Sequence, residues 1–281
     1  MLNGASPSLK SWLTAGPIGD LHDMLSIRSV KLYADGALGS RGAALLADYR
    51  DAPGNQGLHV TSKAQLMALF KTIDAHQFQI CVHAIGDKAN RQVLDNFEQL
   101  FNEGGQRKLR HRIEHAQVID KADLSRMAAL GLIASMQPTH ATSDMHMAED
   151  RLGQQRLAGA YAWRTLLDAN TPMAFGSDFP VESANPFFGI HAAVTRQDHN
   201  NQPVAGWRAD QAVSVGEALR LFTRDAAWAA HMEAKVGTLE PGKWADFILL
   251  SQNPYTLAPE NLWRVKVAET WVAGKPRWRT P

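Results

Sequence analysis

Four side chains in this sequence are of types that can activate water: His83, His115, Asp178 and Lys31. Singly, each has an ordinary explanation. A histidine at a strand end is more often structural or exposed than a ligand. An aspartate in the loop FGSDFP commonly caps a turn, and a lysine within VKLYAD can reach solvent from a sheet edge. Together they are harder to dismiss. Two neutral imidazoles, a carboxylate and a lysine that would be costly to bury alone, each on its own strand, suit a divalent metal with a polarised water. A carboxylate beside such a metal can take a proton from the water and pass it to a leaving amine. A competing pattern, His111-Arg112-Ile113-Glu114-His115, matches the inverted zincin motif H-x-x-E-H. That chemistry needs both histidines on one helix face, whereas this segment reads as a short strand ahead of a helix, so the peptidase reading is the weaker one.

The elements that must position these residues alternate in type. Short apolar runs at Ser29–Ala34, Gln79–Ile85, His111–Gln117, Leu132–Gln137 and Pro172–Ser177 read as strands. Between them, Leu66, Leu69, Phe70 and Ile73 mark one amphipathic helix, and Val93, Leu94, Phe97, Leu100 and Phe101 a second. Leu124 and Met127, closed by Gly131, mark a third. Tyr161 to Leu167 marks a fourth, and Ser214-Val215-Gly216-Glu217 reads as a capping box opening another helix. Strand then helix, repeated, implies right-handed parallel βα units. Asp35, His83, Asp87, His115, His140 and Asp178 all fall at or just past the carboxyl ends of these strands, as on the active face of a (β/α) barrel. A doubly wound sheet would usually add a Gly-rich phosphate loop, and neither GxGxxG nor a P-loop is present. The turn-rich segment 236–246, the apolar run Phe247–Leu250 and the alternating stretch 265–276 read as β-strands outside the barrel.

Bulk properties exclude several classes. The net charge is +1 and the basic residues are scattered singly, which gives nucleic acid or acidic membrane binding no electrostatic support. The single cysteine, Cys81, forms no internal disulfide and reads as a small buried hydrophobe. No apolar stretch is long enough to span a bilayer, and the opening residues show no signal-peptide pattern. The cytoplasm is therefore the expected location, with an export signal ahead of Met1 left open.

At these residues the sequence resembles the amidohydrolase superfamily, specifically amidohydrolase family 3 (YtcJ-like proteins). The matching segments are VKLYADGALGSRGAALLADY (30–49), GNQGL (54–58), HAIGDKA (83–89), HRIEHAQ (111–117), SMQPTHATSDM (135–145), AFGSDFPVE (174–182), NPF (185–187), AAVTRQD (192–198) and VGTLEPGKWADFILL (236–250). They run in order over nearly the whole chain. The resemblance implies an α/β fold: an incomplete (β/α)8 TIM-like barrel with strands like the fourth to eighth over residues 1–232, then C-terminal strands of a small β-sandwich over 233–281. It implies that Lys31 is a CO2-carboxylated lysine bridging two metal ions, that His83 and His115 hold the second ion, and that Asp178 is both ligand and proton shuttle. His140 and Arg41 would face the substrate. The implied reaction is metal-dependent hydrolysis of a non-peptide carbon–nitrogen bond in a small amide- or formamide-type substrate. The implied cofactor is a divalent metal, zinc first, with one or two ions in the complete site. The family's upstream H-x-H pair has no counterpart among the eleven histidines here. The expectation is a chain lacking the first barrel units, inert without them, its open edges favouring a homo-oligomer.

Overall fold

The computed structural model describes residues 1–21 and 25–280. The chain opens with a two-residue strand β1 (Leu2–Asn3), a helix α1 (Leu9–Ala15) and an antiparallel pair, β2 (Ile18–Leu21) and β3 (Leu25–Ile27). A βα series follows: β4 (Ser29–Tyr33), α2 (Lys63–Ala75), β5 (Gln79–Ala84), α3 (Asp87–Asn102), β6 (Arg112–His115), α4 (Leu124–Leu130) and β7 (Ile133–Met136). Four short helices, α5 (Pro138–Asp144), α6 (Ala148–Leu152), α7 (Gln154–Leu157) and α8 (Trp163–Asp168), precede β8 (Met173–Phe175). Helices α9 (Pro186–Thr195), α10 (Val215–Phe222) and α11 (Arg224–Ala229) lead to β9 (Phe247–Leu250), β10 (Val267–Val272) and β11 (Lys275–Arg279).

The five strands expected from the apolar runs form, each within a few residues of its run, in a parallel α/β sheet ordered β1-β4-β5-β6-β7-β8. The sheet does not close among the described residues. The sixth member, β1, pairs in parallel through Leu2↔Val30 and Asn3↔Lys31; two residues are too few to carry a readable period. The C-terminal strands form a separate antiparallel sheet, β11-β10-β9, as the alternating tail implied.

The chain divides into two compact units: residues Met1–Ser135 with Met147–Pro172, and residues Met136–His146 with Met173–Pro281. In the first unit, one face of β4, β5 and β6 is apolar. Val30, Leu32, Ile80, Val82, Ala84 and Ile113 are almost wholly buried there, as are Leu66, Phe70 and Ile73 of α2 and Val93, Leu94 and Phe97 of α3. The helices begin and end where the sequence dictates. Ser62 accepts the Gln65 amide while Gln65 reaches back to Ser62, a complete capping box for α2. Gly131 ends α4 at φ +68, in the left-handed region that glycine occupies without strain. In the second unit Ser214 and Glu217 form the expected box on α10, Phe175 of β8 meets Phe222 of α10 edge-on at 5.6 Å, and Phe247 stacks on Trp271 at 5.4 Å.

Candidate active site

Parallel pairing of Tyr33 with His83 and of His83 with Glu114 sets the register of the first unit's site. Side chains alternate along strands, so Lys31, Tyr33, Cys81, His83, Arg112 and Glu114 share the face opposite the apolar one. His83, near the end of β5, is mostly buried, with Nε2 3.6 Å from Asp35 Oδ1 and 3.5 Å from the Gly36 carbonyl. His115 pairs in register with Ala84, so strict alternation would send its ring to the apolar face. Its φ of +74 breaks that alternation, and the His115 ring meets His83 edge-on at 4.6 Å between centroids. A non-glycine residue held at positive φ is strained and persists where its surroundings over-determine it, often at functional sites.

Asp35, just past the end of β4, anchors the loop beside His83. Its carboxylate accepts from the amides of Ala44 at 2.9 Å, Ile85 at 3.0 Å and Gly86 at 2.8 Å. These bonds tie the segment after β4 to the β5–α3 turn. Burial pushes the Asp35 carboxyl up to about 7 against the pull of the three amides. Lys31 lies with Nζ 5.5 Å from the Tyr33 ring centroid, and that ring is 5.8 Å from His83. Cys81 is wholly buried, its thiol pushed up to about 11 by burial, so it is the inert small hydrophobe expected.

His111 is structural. Its Nδ1 accepts the Ile80 amide at 3.0 Å, its ring stacks with Phe97 at 5.3 Å and Phe101 at 5.9 Å, and burial lowers its pKa. It precedes β6 while His115 ends it, about 13 Å apart along an extended strand. The H-x-x-E-H pattern therefore forms no metal site. Arg41, at φ +57, gives its guanidinium to Asp51 at 3.1 and 2.9 Å, and Arg151 grips the same carboxylate.

In the second unit, Pro138 at the start of α5 follows closely on β7 and sets the helix that carries His140. His140 Nε2 lies 3.9 Å from Asp178 Oδ2. Asp178 is another strained residue, at φ +57, and its side chain is 40% exposed. The same elements border a cleft of 310 Å³ lined by Thr139, Thr142, Ser143, His146, Glu182, Phe188, Asp198 and His199. The sequence alone does not single out this lining. Thr139, Thr142, Ser143 and Glu182 all lie inside the motifs SMQPTHATSDM and AFGSDFPVE, but hydroxyls in a helical turn carry no chemical signal until a cleft is seen beside them.

The donors of the first unit suit a divalent ion in kind: two imidazoles in ring contact at adjacent strand ends. They fall short in number. Among the described residues no group of three or more His, Cys, Asp or Glu is gathered closely enough to hold a metal.

Residues 14–277 match the model of the amidohydrolase family. The chain belongs to that family. It is 36% identical over 260 residues to Protein LONG AFTER FAR-RED 3 of Arabidopsis thaliana, covering 91% of this chain and 43% of that protein. It is 34% identical over 248 residues to YtcJ of Bacillus subtilis (strain 168), covering 88% and 46%. Against the N-substituted formamide deformylase of Arthrobacter pascens the identity is 27% over 223 residues, covering 79% and 40%. Among solved structures, an uncharacterized metal-dependent hydrolase from Pyrococcus furiosus superposes with a TM-score of 0.78 at 32% identity, over 91% of this chain and 50% of that one. The chain thus spans half or less of the length of these relatives.

Proposed function

We propose that the protein works as a metal-dependent hydrolase on a carbon–nitrogen bond outside peptides, in a small amide- or formamide-type substrate. The observation that carries this reading is the His83–His115 ring contact at neighbouring strand ends, in a chain of the amidohydrolase family. The formamide deformylase among the relatives supports the substrate class. His83 and His115 would hold a divalent cation, zinc by its preference for nitrogen donors, with Lys31 as the further donor of the same unit that the family resemblance implies. Such a cation, when bound, supplies the positive charge that lowers the pKa of water.

The chain's own residues do the rest. Asp178 is the proton shuttle that the family resemblance implies, a carboxylate of the kind that takes a proton from an attacking water and returns it to a departing amine. His140, 3.9 Å from Asp178 in the same unit, would face the substrate as the resemblance implies. Asp35 holds the His83 segment in place through its three backbone bonds. A second reading is favoured by the lack of three gathered ligands among the described residues: this chain alone is inert, and turnover needs donors from another polypeptide.

Amine release from N-substituted formamides and from dipeptides, measured with zinc in excess, tests the reaction class. Formamide hydrolysis that is lost in Asp178→Asn is expected. Cleavage of dipeptides in preference to formamides would overturn the non-peptide assignment.

A further inference from the structure

The cleft of the second unit has features that the hydrolytic reading leaves unused. Among the described residues it is lined by two carboxylates, Glu182 and Asp198, and by no lysine or arginine. Three hydroxyl residues of α5, Thr139, Thr142 and Ser143, form one wall. Ser143 Oγ donates to Glu182 Oε1 at 2.6 Å, which fixes that carboxylate against the helix. Asp198 Oδ1 accepts the amides of Asn200 and Gln202 at 2.8 and 2.9 Å, which shapes the loop on the far side. The Phe188 ring packs against His199 with 4.1 Å between centroids, and both line the cleft. Thr139 is 93% buried, being 7% exposed, and its hydroxyl has no hydrogen-bond partner. A buried polar atom without a partner is costly and is rare in a folded protein; a ligand group reaching this wall would satisfy it.

We propose that this cleft takes an ammonium group carried by the substrate. The inference rests on the hydrolase reading and deepens it, because the cleft shares α5 and the 178–182 segment with His140 and Asp178. Val181 donates its amide to the Asp178 carbonyl at 2.9 Å, which places Glu182 one residue beyond that turn. An ammonium is a compact cation with three donors and no acceptor. It matches a wall of carboxylate and hydroxyl acceptors, and an adjacent aromatic face attracts it further. A carboxylate ligand would meet two like charges, and a purely apolar ligand would leave the Thr139 hydroxyl unpaired. The substrate class is therefore an amide whose acyl or amine portion bears a second, protonated amine away from the bond that breaks.

Calorimetric titration with n-butylammonium, 1-butanol and butyrate at fixed ionic strength reads this site without any turnover. Failure of the hydrolase reading thus leaves the binding result standing, and the reverse also holds. Butylammonium is expected to bind the wild-type chain, and Glu182→Gln, a near-isosteric change at a partly exposed position, is expected to weaken it roughly tenfold or more. Thr139→Val tests the buried hydroxyl separately and is expected to weaken binding as well, with an unchanged circular dichroism spectrum in both variants. The proposal is overturned if the wild type binds none of the probes or binds butanol or butyrate as well as the cation. It is equally overturned if both variants bind butylammonium as the wild type does.

Discussion

His111 and His115 are four positions apart and both buried, but they have different neighbours: Phe97 and Phe101 stack on His111, while His115 meets His83. Burial holds the His111 pKa below its ordinary 6.5, so protonation favours the unfolded chain. The stability it contributes is intact above pH 6.5 and is lost as the pH falls below that value. His59 and His191 are also lowered by burial and add to the same trend. Asp35, raised to about 7 by burial, acts in the opposite direction over this range, so the His111 contribution is read as a difference: the gap in urea midpoint between the wild type and His111→Gln is expected to narrow from pH 7.5 to 5.0. A gap that does not change with pH would contradict the neutral, amide-accepting state of His111. Lys31 offers a sharper test of chemistry. If it bridges metal ions as a carbamate, Lys31→Ala and Lys31→Arg both abolish hydrolysis, because a guanidinium forms no such carbamate. An active Lys31→Arg enzyme would remove that role. The placement of His83 and His115 at strand ends was legible in the sequence, from the apolar runs that lead into them. The bend that brings His115 onto His83 was not, because a φ of +74 in a non-glycine residue comes from tertiary constraint.

At the scale of elements, the sequence was most informative where local chemistry decides the outcome. The box at Ser214 and Glu217, the stop at Gly131 and the run Phe247–Leu250 all form as read. The short helices α5 to α7, of seven, five and four residues, were missed because so few residues establish no helical period. The role of Asp35 was also hidden, since its three amide partners lie 9 to 51 positions away. Two substitutions separate local from tertiary causes. Ser214→Ala removes one cap and is expected to cost about 1 kcal/mol in urea unfolding. Gly86→Ala is expected to cost several times more, because a Cβ there would sit 2.0 Å from the Ala44 carbonyl oxygen, which is backbone and can move only with its segment. Equal costs for the two would show that the loop after β4 is not packed against Gly86.

For the whole molecule, the division into two units was not legible, since residues 136–146 group with the C-terminal unit and 147–172 with the N-terminal one. No compositional break marks any of the three crossings. The antiparallel sheet of the second unit exposes every residue of β11, with Trp278 48% and Leu249 46% accessible. Unpaired strand edges with apolar neighbours favour self-association. Light scattering is expected to give a mass above the 30.9 kDa of one chain, and a monodisperse monomer would contradict this. The claim that His83 and His115 together form the nitrogen-donor face of a metal site is tested most directly by zinc titration calorimetry on the wild type, His83→Ala and His115→Ala. At most one ion per chain, bound weakly and lost in both variants, is the predicted result; two tightly bound ions, or variants that bind as the wild type does, would contradict it.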